Sequence, residues 1–103
     1  MTFMAIVVDS LYWLIDTLLG LYIWVIIIGA ILSWLVAFDV VNTRNRVVYV
    51  IGDFTYRLTE PALRPIRRFV PDLGGVDISP LLLILLLFFI RRVLAGFYAS
   101  LFL

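Results

Sequence analysis

The sequence predicts an all-α membrane protein, a transmembrane helical hairpin whose two spans are joined by an amphipathic loop at the membrane interface. Of its 103 residues, 65% are hydrophobic and only 15% are charged. A domain of this length buries too small a fraction of its surface to hide so much apolar area from water. Two long apolar stretches, with most of the arginines between them, set the order of the elements. The excess apolar surface must therefore face lipid, which excludes a water-soluble globular protein.

The first predicted span lies at about residues 13–36. The 22 residues from Thr17 to Phe38 carry no charge, which is enough helix to cross a hydrocarbon core of about 30 Å. Trp13 and Trp34 are about 31 Å apart on such a helix, so they can lie at opposite interfaces as an aromatic belt. The apolar residues before Trp13 include Asp9. We expect this N-terminal piece to emerge from the membrane or to lie flat on it, because one helix that includes it is longer than the bilayer requires.

The second predicted span lies at about residues 78–100. Its apolar run begins after Asp77 and is interrupted only by two adjacent arginines. Ser79 followed by Pro80 has the form of a helix N-cap and a proline at the first helical position, where no backbone donor is lost. Asp77 adds negative charge near the positive end of the helix dipole. These residues predict a helix start, and about 30 Å of helix then leads to Tyr98 at the far interface.

The connecting loop, residues 39–77, holds six of the eight arginines. By the positive-inside rule the loop is cytoplasmic, and both termini lie across the membrane. Apolar and charged residues recur at helical spacing on opposite sides of its first part, which predicts an interfacial helix there. After Pro61 a shorter segment repeats this division, and Pro65 limits its helicity. We therefore expect an amphipathic loop that follows the membrane surface. Its apolar side comprises Val47, Val50, Ile51, Phe54 and Leu58, and its charged side comprises Arg46, Asp53, Arg57 and Glu60.

The stretch that begins at Thr59, TEPALRPIRRFVPDLGGVDISPLLLILLL, resembles the YggT family of small bacterial and plastid membrane proteins, also known through its YlmG members. It combines, in one order, an arginine-rich PIRRFVP segment, a double glycine, an Asp-x-Ser-Pro helix start and an apolar run. Residues 1–103 resemble a single family unit, whereas some members of the family carry two units in one chain. This departure from the two-unit members favours self-association. The resemblance implies a bacterial cytoplasmic (inner) membrane protein, and the family has been linked to cell division, osmotic-shock tolerance, plastid nucleoid distribution and cytochrome complex assembly.

Arg64, Arg67 and Arg68 form the densest arginine cluster of the loop. Guanidinium groups pair bidentately with phosphate oxygens, and a basic residue gains about 1 kcal/mol near anionic lipid. One hypothesis is that the cluster binds lipid headgroups. The other is that it acts only as a topology signal, which needs nothing more than charge. We expect no binding to nucleic acid, since the sequence shows no recognisable nucleic-acid-binding fold.

No catalytic, cofactor-binding or metal-binding site is predicted. The sequence has no cysteine, histidine or lysine, which excludes nucleophile–histidine pairs and thiolate or imidazole metal ligands. Asp77 and Ser79 as a catalytic pair would still require a base and an oxyanion site, and helix capping explains them better. We therefore predict that the protein is not an enzyme.

Arg91 and Arg92 lie inside the second span, where an arginine costs about 2.5 to 3.5 kcal/mol on insertion scales. In an antiparallel hairpin, Asp16 is the residue of the first span nearest to Arg91 in depth. Intramolecular pairing with Asp16 is one interpretation, and snorkelling to the far headgroups or a transport or partner site are the others. Neighbouring side chains on a helix point about 100° apart, so only one arginine can face Asp16. The other must reach headgroups or a neighbouring subunit.

Small residues form stripes at intervals of four on both spans. Gly29, Ser33 and Ala37 form one stripe, and Gly96 belongs to another at the opposite end of the hairpin. Such stripes let helix backbones approach closely. Gly20 is the residue of the first span that could meet the Gly96 stripe. We interpret the Gly29 stripe either as a surface for self-association or a partner protein, or as packing against the loop.

The sequence favours a non-enzymatic organising, assembly or accessory subunit of a larger membrane complex. Its expected partners are membrane lipids, anionic ones above all, and other membrane proteins including a second copy of itself. The alternative is a protomer of a small oligomeric transporter or channel. Because two helices cannot enclose a pore, that alternative requires several copies, lined by Asp16, Arg91 or Arg92.

Overall fold

The computed structural model describes residues 2–70 and 78–102. Three helices follow one another within these ranges: α1 (Phe3–Ala37), α2 (Arg46–Arg67) and α3 (Ser79–Phe102). The described residues contain no strand, so the predicted all-α class is confirmed for them. Both α1 and α3 are long and apolar enough to cross a membrane, which indicates a membrane protein. The predicted hairpin with a connecting loop is corrected in one respect, because the helix predicted in the first part of the connection extends over 22 residues and forms a third helix of the fold.

α1 is a single helix of 35 residues, about 52 Å long. The Thr2 hydroxyl caps its start by accepting a hydrogen bond from the backbone N–H of Ala5 at 3.1 Å. After its end, Asp39 adopts a φ of 63°, a left-handed conformation that terminates helices and turns the chain towards α2. The residues before Trp13 do not form a separate piece lying flat, because the helix runs through them. No glycine or proline precedes Gly20, so the sequence contains no breaker in this stretch.

α2 runs without interruption through Pro61 and Pro65, which corrects the predicted division at these residues. A proline cannot donate to the carbonyl four residues earlier and pushes the preceding turn open. The carbonyl of Leu58 lies in that turn and accepts a hydrogen bond from the Tyr22 hydroxyl of α1 at 2.8 Å. Leu63 follows Pro61 and is buried in the core. Contacts with α1 and α3 therefore stabilise the helix where its own sequence weakens it.

α2 presents three different sides. Its packing side faces the other helices and includes the buried residues Thr55, Thr59 and Leu63. The Thr55 hydroxyl donates to the carbonyl of Ile51 and the Thr59 hydroxyl to that of Thr55, so neither polar group is left unsatisfied. The side predicted as apolar is exposed, with side chains between 41% and 64% accessible. A charged side completes the helix. The apolar side of α2 comprises Val47, Val50, Ile51, Phe54 and Leu58, and the charged side comprises Arg46, Asp53, Arg57, Glu60 and Arg64.

α3 begins at Ser79, in the region where the sequence predicts a helix start. The carbonyl of Ile78 accepts hydrogen bonds from the N–H groups of Leu81 and Leu82, at 3.1 and 3.3 Å. Ile78 therefore occupies the N-cap position, one residue earlier than predicted, and Pro80 takes the second helical position. A proline is tolerated there because N–H groups of a first turn have no partner within the helix. The predicted contribution of Asp77 lies outside the described residues.

The core is small and lies where the three helices meet. Ile23 and Ile26 of α1, Leu63 of α2, and Leu83 and Leu87 of α3 form one buried cluster. Large apolar side chains elsewhere on the long helices are exposed. Examples are Trp24, 62% exposed, and Phe89, 65% exposed. The fold thus leaves most of its apolar surface on the outside, as expected of a chain whose surroundings are lipid.

Candidate functional site

The polar residues of the two long helices meet in a polar seam between α1 and α3. Asp9 and Asp16 are seven residues apart on α1, and Arg91 and Tyr98 are seven residues apart on α3. A spacing of seven places each pair on one face of its helix, and the antiparallel arrangement brings the two faces together. The polar seam comprises Asp9, Tyr12, Asp16, Arg91 and Tyr98.

Arg91 makes a two-point contact with Asp16. Its Nε donates to Oδ1 of Asp16 at 3.0 Å and its Nη2 donates to Oδ2 at 3.2 Å. This parallel geometry is the strong form of a guanidinium–carboxylate contact. Each side chain remains 33% exposed. The sequence leaves Arg91 and Arg92 as candidate partners of Asp16. In the structure Arg91 contacts Asp16, and Arg92 does not.

Gly20 lies one turn along α1 from Asp16 and packs against the guanidinium group of Arg91. A Cβ at position 20 would lie 3.6 Å from Nη1 of Arg91. The expectation that Gly20 meets the Gly96 stripe does not match the structure, because Gly20 faces the guanidinium group. Gly96 itself has no atom within 4 Å of the position that a Cβ would take.

The far end of the polar seam joins Asp9 to two tyrosines. The Tyr98 hydroxyl donates to Oδ1 of Asp9. The rings of Tyr12 and Tyr98 stack, with centroids 4.3 Å apart and planes at 14°. The predictions from the sequence do not include this cluster, because they place Asp9 outside the span. The matching seven-residue spacings on the two helices are the signal that identifies it.

Arg92 lies outside the polar seam. It is exposed, and it makes no hydrogen bond or ion pair with any residue in the ranges 2–70 and 78–102. It is one residue from Arg91, so its side chain leaves the helix about 100° away from the direction of Asp16.

The arginine cluster lies at the C-terminal end of α2. Arg67 forms an ion pair with Glu60 across two turns of the helix. Arg64 and Arg68 are exposed and make no ion pair with a residue that the structure describes. Glu60 and the three arginines together give this end of α2 a net charge of +2, from three positive charges and one negative. The end is therefore suited to bind an anionic group.

The Gly29 stripe of α1 faces α2 of the same chain. A Cβ at position 29 would lie 3.2 Å from the Cβ of Thr55, which is tighter than ordinary van der Waals contact. Gly29 and Ser33 line a cleft of about 450 Å³ between α1 and α2, and Arg67 lies at its edge. In this structure the Gly29 end of the stripe serves intrachain packing, the second of our two interpretations. Ala37 ends α1, and Gly96 lies on an open surface of α3.

Comparison with known proteins identifies one family. The family model described as CCB3/YggT matches residues 8–98. A protein of Escherichia coli K12 named "Uncharacterized protein YggT" is 40% identical over 91 residues, which cover 87% of this chain and 44% of that protein. A Vibrio alginolyticus protein, "Uncharacterized protein in proC 3'region", is 45% identical over 64 residues, or 62% of this chain and 30% of that one.

A Haemophilus influenzae protein is 39% identical over 69 residues, which cover 67% of this chain and 33% of the relative. The chain thus spans less than half the length of these curated relatives. No solved structure matches it.

Proposed function

We propose that this chain, which belongs to the CCB3/YggT family, is a non-enzymatic integral membrane protein that organises or assists the assembly of a larger membrane complex. The observation that carries the proposal is the division of its surface. Within the polar seam Asp16 pairs with Arg91 and Asp9 accepts a hydrogen bond from Tyr98, whereas the apolar faces of all three helices and the arginines of α2 point outwards. Such a chain offers contact surfaces to lipid and to other helices.

In the proposed placement, α1 and α3 cross the bacterial cytoplasmic membrane and α2 lies at its cytoplasmic interface. Arginines flanking membrane helices remain preferentially on the cytoplasmic side, which supports this orientation. The apolar side of α2 then rests among the acyl chains, and its charged side faces the headgroups and water. The exposure of Val50 and Phe54, on a helix that also carries four arginines, supports this placement.

Arg64 and Arg68 bind phosphate groups of anionic lipids in this proposal. Both are exposed at an end of α2 that carries net positive charge, and no carboxylate of the described chain neutralises either of them. A role as a mere topology signal does not need such clustering at one end of an ordered helix. The clustering therefore favours headgroup binding, which adds to the topology signal.

The experiment that tests the function is affinity purification of the full-length chain in a mild detergent, followed by quantitative mass spectrometry. We expect a larger membrane complex to copurify at a fixed stoichiometry that survives washing. Replacing the exposed apolar residues Val50 and Phe54 by serine gives one interface variant, and Phe89→Ser on α3 gives another. Copurification that is unaffected by either variant, or a bait that emerges without stoichiometric partners, contradicts the proposal.

The alternative function, a protomer of an oligomeric transporter or channel, needs charged side chains to line a path. Asp16 and Arg91 contact each other in two places within one chain, which leaves less of their charge for a translocated ion. This observation makes us favour the accessory role. Ion flux through the purified chain in liposomes, abolished by Asp16→Asn, would establish the alternative instead.

A further inference from the structure

The charges of α1 and α3 balance, but only one pair meets within the chain. The two helices carry two carboxylates, Asp9 and Asp16, and two guanidinium groups, Arg91 and Arg92. Asp16 and Arg91 neutralise each other. Asp9 and Arg92 are both exposed, and neither forms an ion pair with a described residue. Ionisable side chains inside membranes usually pair with one another, so Arg92, which lies within the second span, calls for an acidic partner outside its own chain.

A depression on the surface of α1 contains both carboxylates. It is shallow and open to the surroundings, and is lined by Asp9, Ser10, Tyr12, Trp13, Leu14 and Asp16. Two carboxylates and the single guanidinium of Arg91 give this region a net charge of −1. It is therefore complementary in charge to an arginine that arrives from outside.

The depth of Arg92 matches the depression. Hydrogen bonds place Asp16 level with Arg91 and Asp9 level with Tyr98. Arg92 lies between these two levels on α3, one residue beyond Arg91. Copies inserted in the same orientation share the same depths, so Arg92 of one copy meets the interval between Asp9 and Asp16 of its neighbour without a vertical shift.

We infer that the chain associates with a second copy of itself in the membrane, Arg92 of one copy seating between Asp9 and Asp16 of the other. Gly96 lies one turn from Arg92, and the open space around it lets a neighbouring helix approach α3 closely. The inference rests on the membrane placement proposed above, but not on the accessory role or on lipid binding.

The test uses the full chain reconstituted in lipid vesicles, with Förster transfer between donor-labelled and acceptor-labelled copies at several protein-to-lipid ratios. Arg92→Gln should weaken association by about tenfold, the scale of one polar contact between membrane helices. Arg44→Gln also removes one arginine, but outside the spans, and should leave association unchanged. A chain that is monomeric at every ratio, or unaffected by Arg92→Gln, overturns the inference.

Charge reversal gives a sharper test, because it compares each variant alone with a mixture of the two. Asp9→Arg and Arg92→Asp chains should each fail to self-associate, since like charges then meet. Mixed together they should associate like the unmodified chain, because the arginine introduced in one faces the aspartate introduced in the other, and the second contact keeps its native residues. If Förster transfer in the mixture of the two variants is no higher than in samples of either variant alone, the contact is refuted. Carbonate extraction of the same vesicles shows whether each variant is inserted in the membrane. It therefore distinguishes a lost contact from a failure of membrane insertion.

Discussion

Asp16 and Arg91 place opposite charges in contact on helices that otherwise expose apolar side chains. In hydrocarbon neither group is stable alone, so each restricts where the other helix can lie. Polar contacts between membrane helices contribute about 0.6 to 2 kcal/mol each. We therefore expect the pair to fix the register of α1 against α3, with a modest effect on overall stability.

Asp16→Leu should lower the free energy of unfolding by about 1 to 2 kcal/mol, because it leaves Arg91 without its carboxylate in apolar surroundings. Unfolding of the purified chain in mixed detergent micelles, followed by circular dichroism, measures this change. Thr17→Leu, at the neighbouring position, serves as the control and should change the free energy by less than about 0.5 kcal/mol.

The double variant Asp16→Leu, Arg91→Leu tests whether the loss comes from the pair. It should recover most of the stability, since no unpaired charge remains. If the two single substitutions lower the free energy of unfolding by amounts that simply add in the double variant, the two residues act independently. The ion pair then has no energetic role.

Arg64→Gln and Arg68→Gln should each lower the affinity for anionic lipid about fivefold, the equivalent of about 1 kcal/mol per arginine near a charged surface. Native mass spectrometry of the full chain, released from micelles that contain anionic and zwitterionic phospholipids, counts the lipids retained. Arg44→Gln removes an exposed arginine before α2 and is the matched control. Equal retention of both lipid classes by the unmodified chain contradicts headgroup binding.

At the scale of elements, α1 and α2 are held together by residues with little or no side chain. Gly29 lies against Thr55, and a Cβ at Gly52 would lie 3.3 Å from Leu32. The close approach of the two helices lets the Tyr22 hydroxyl reach the carbonyl of Leu58. This contact joins α1 to the turn of α2 that precedes Pro61.

Gly29→Leu should displace α2 from α1 and lower the free energy of unfolding by about 1 to 3 kcal/mol, as overpacking does elsewhere. Gly96→Leu introduces the same side chain into open space on α3 of the single chain, and at a dilution in detergent where the chain is monomeric it should leave the free energy of unfolding within about 0.5 kcal/mol. Thermal unfolding in detergent compares the two. Equal destabilisation by both variants would show that Gly29 does not pack against α2 in the manner described.

Local patterns in the sequence predict some of these elements well and others poorly. The apolar runs predict two long helices, and Ser79 with Pro80 predicts the start of α3 to within one residue. Pro61 and Pro65 suggest a division of α2 that does not occur, because packing against α1 and α3 outweighs the local preference. Whether the Gly29 stripe faces α2 or another protein depends on the tertiary arrangement, about which a stripe carries no information.

The candidate site shows the same limit. Matching depths on two antiparallel helices are enough to name Asp16 and Arg91 as neighbours, although not to decide which arginine faces the carboxylate. A predicted span bounded by Trp13 leaves Asp9 outside the membrane. The structure continues α1 to Phe3 and sets Asp9 beside Tyr98, a contact that the predicted span does not include, so the polar seam reaches the far end of both helices.

At the scale of the whole molecule, α1 and α3 expose long apolar surfaces that suit lipid surroundings. The buried cluster of the three helices contains few residues, and exposed apolar side chains surround it. Water would not tolerate such a surface in a stable monomer. In the placement we propose, the arginines of α2 set which end of the hairpin is cytoplasmic.

The central claim, two crossings with α2 on the cytoplasmic side, is tested most directly by thiol labelling of single-cysteine variants, since the native chain has no cysteine. Thr2→Cys lies at the start of α1, and Thr43→Cys lies between α1 and α2; neither changes a charge. A membrane-impermeant maleimide applied to intact spheroplasts should label Thr2→Cys and spare Thr43→Cys until the membrane is opened by detergent. Labelling of Thr43→Cys in intact spheroplasts would contradict the account.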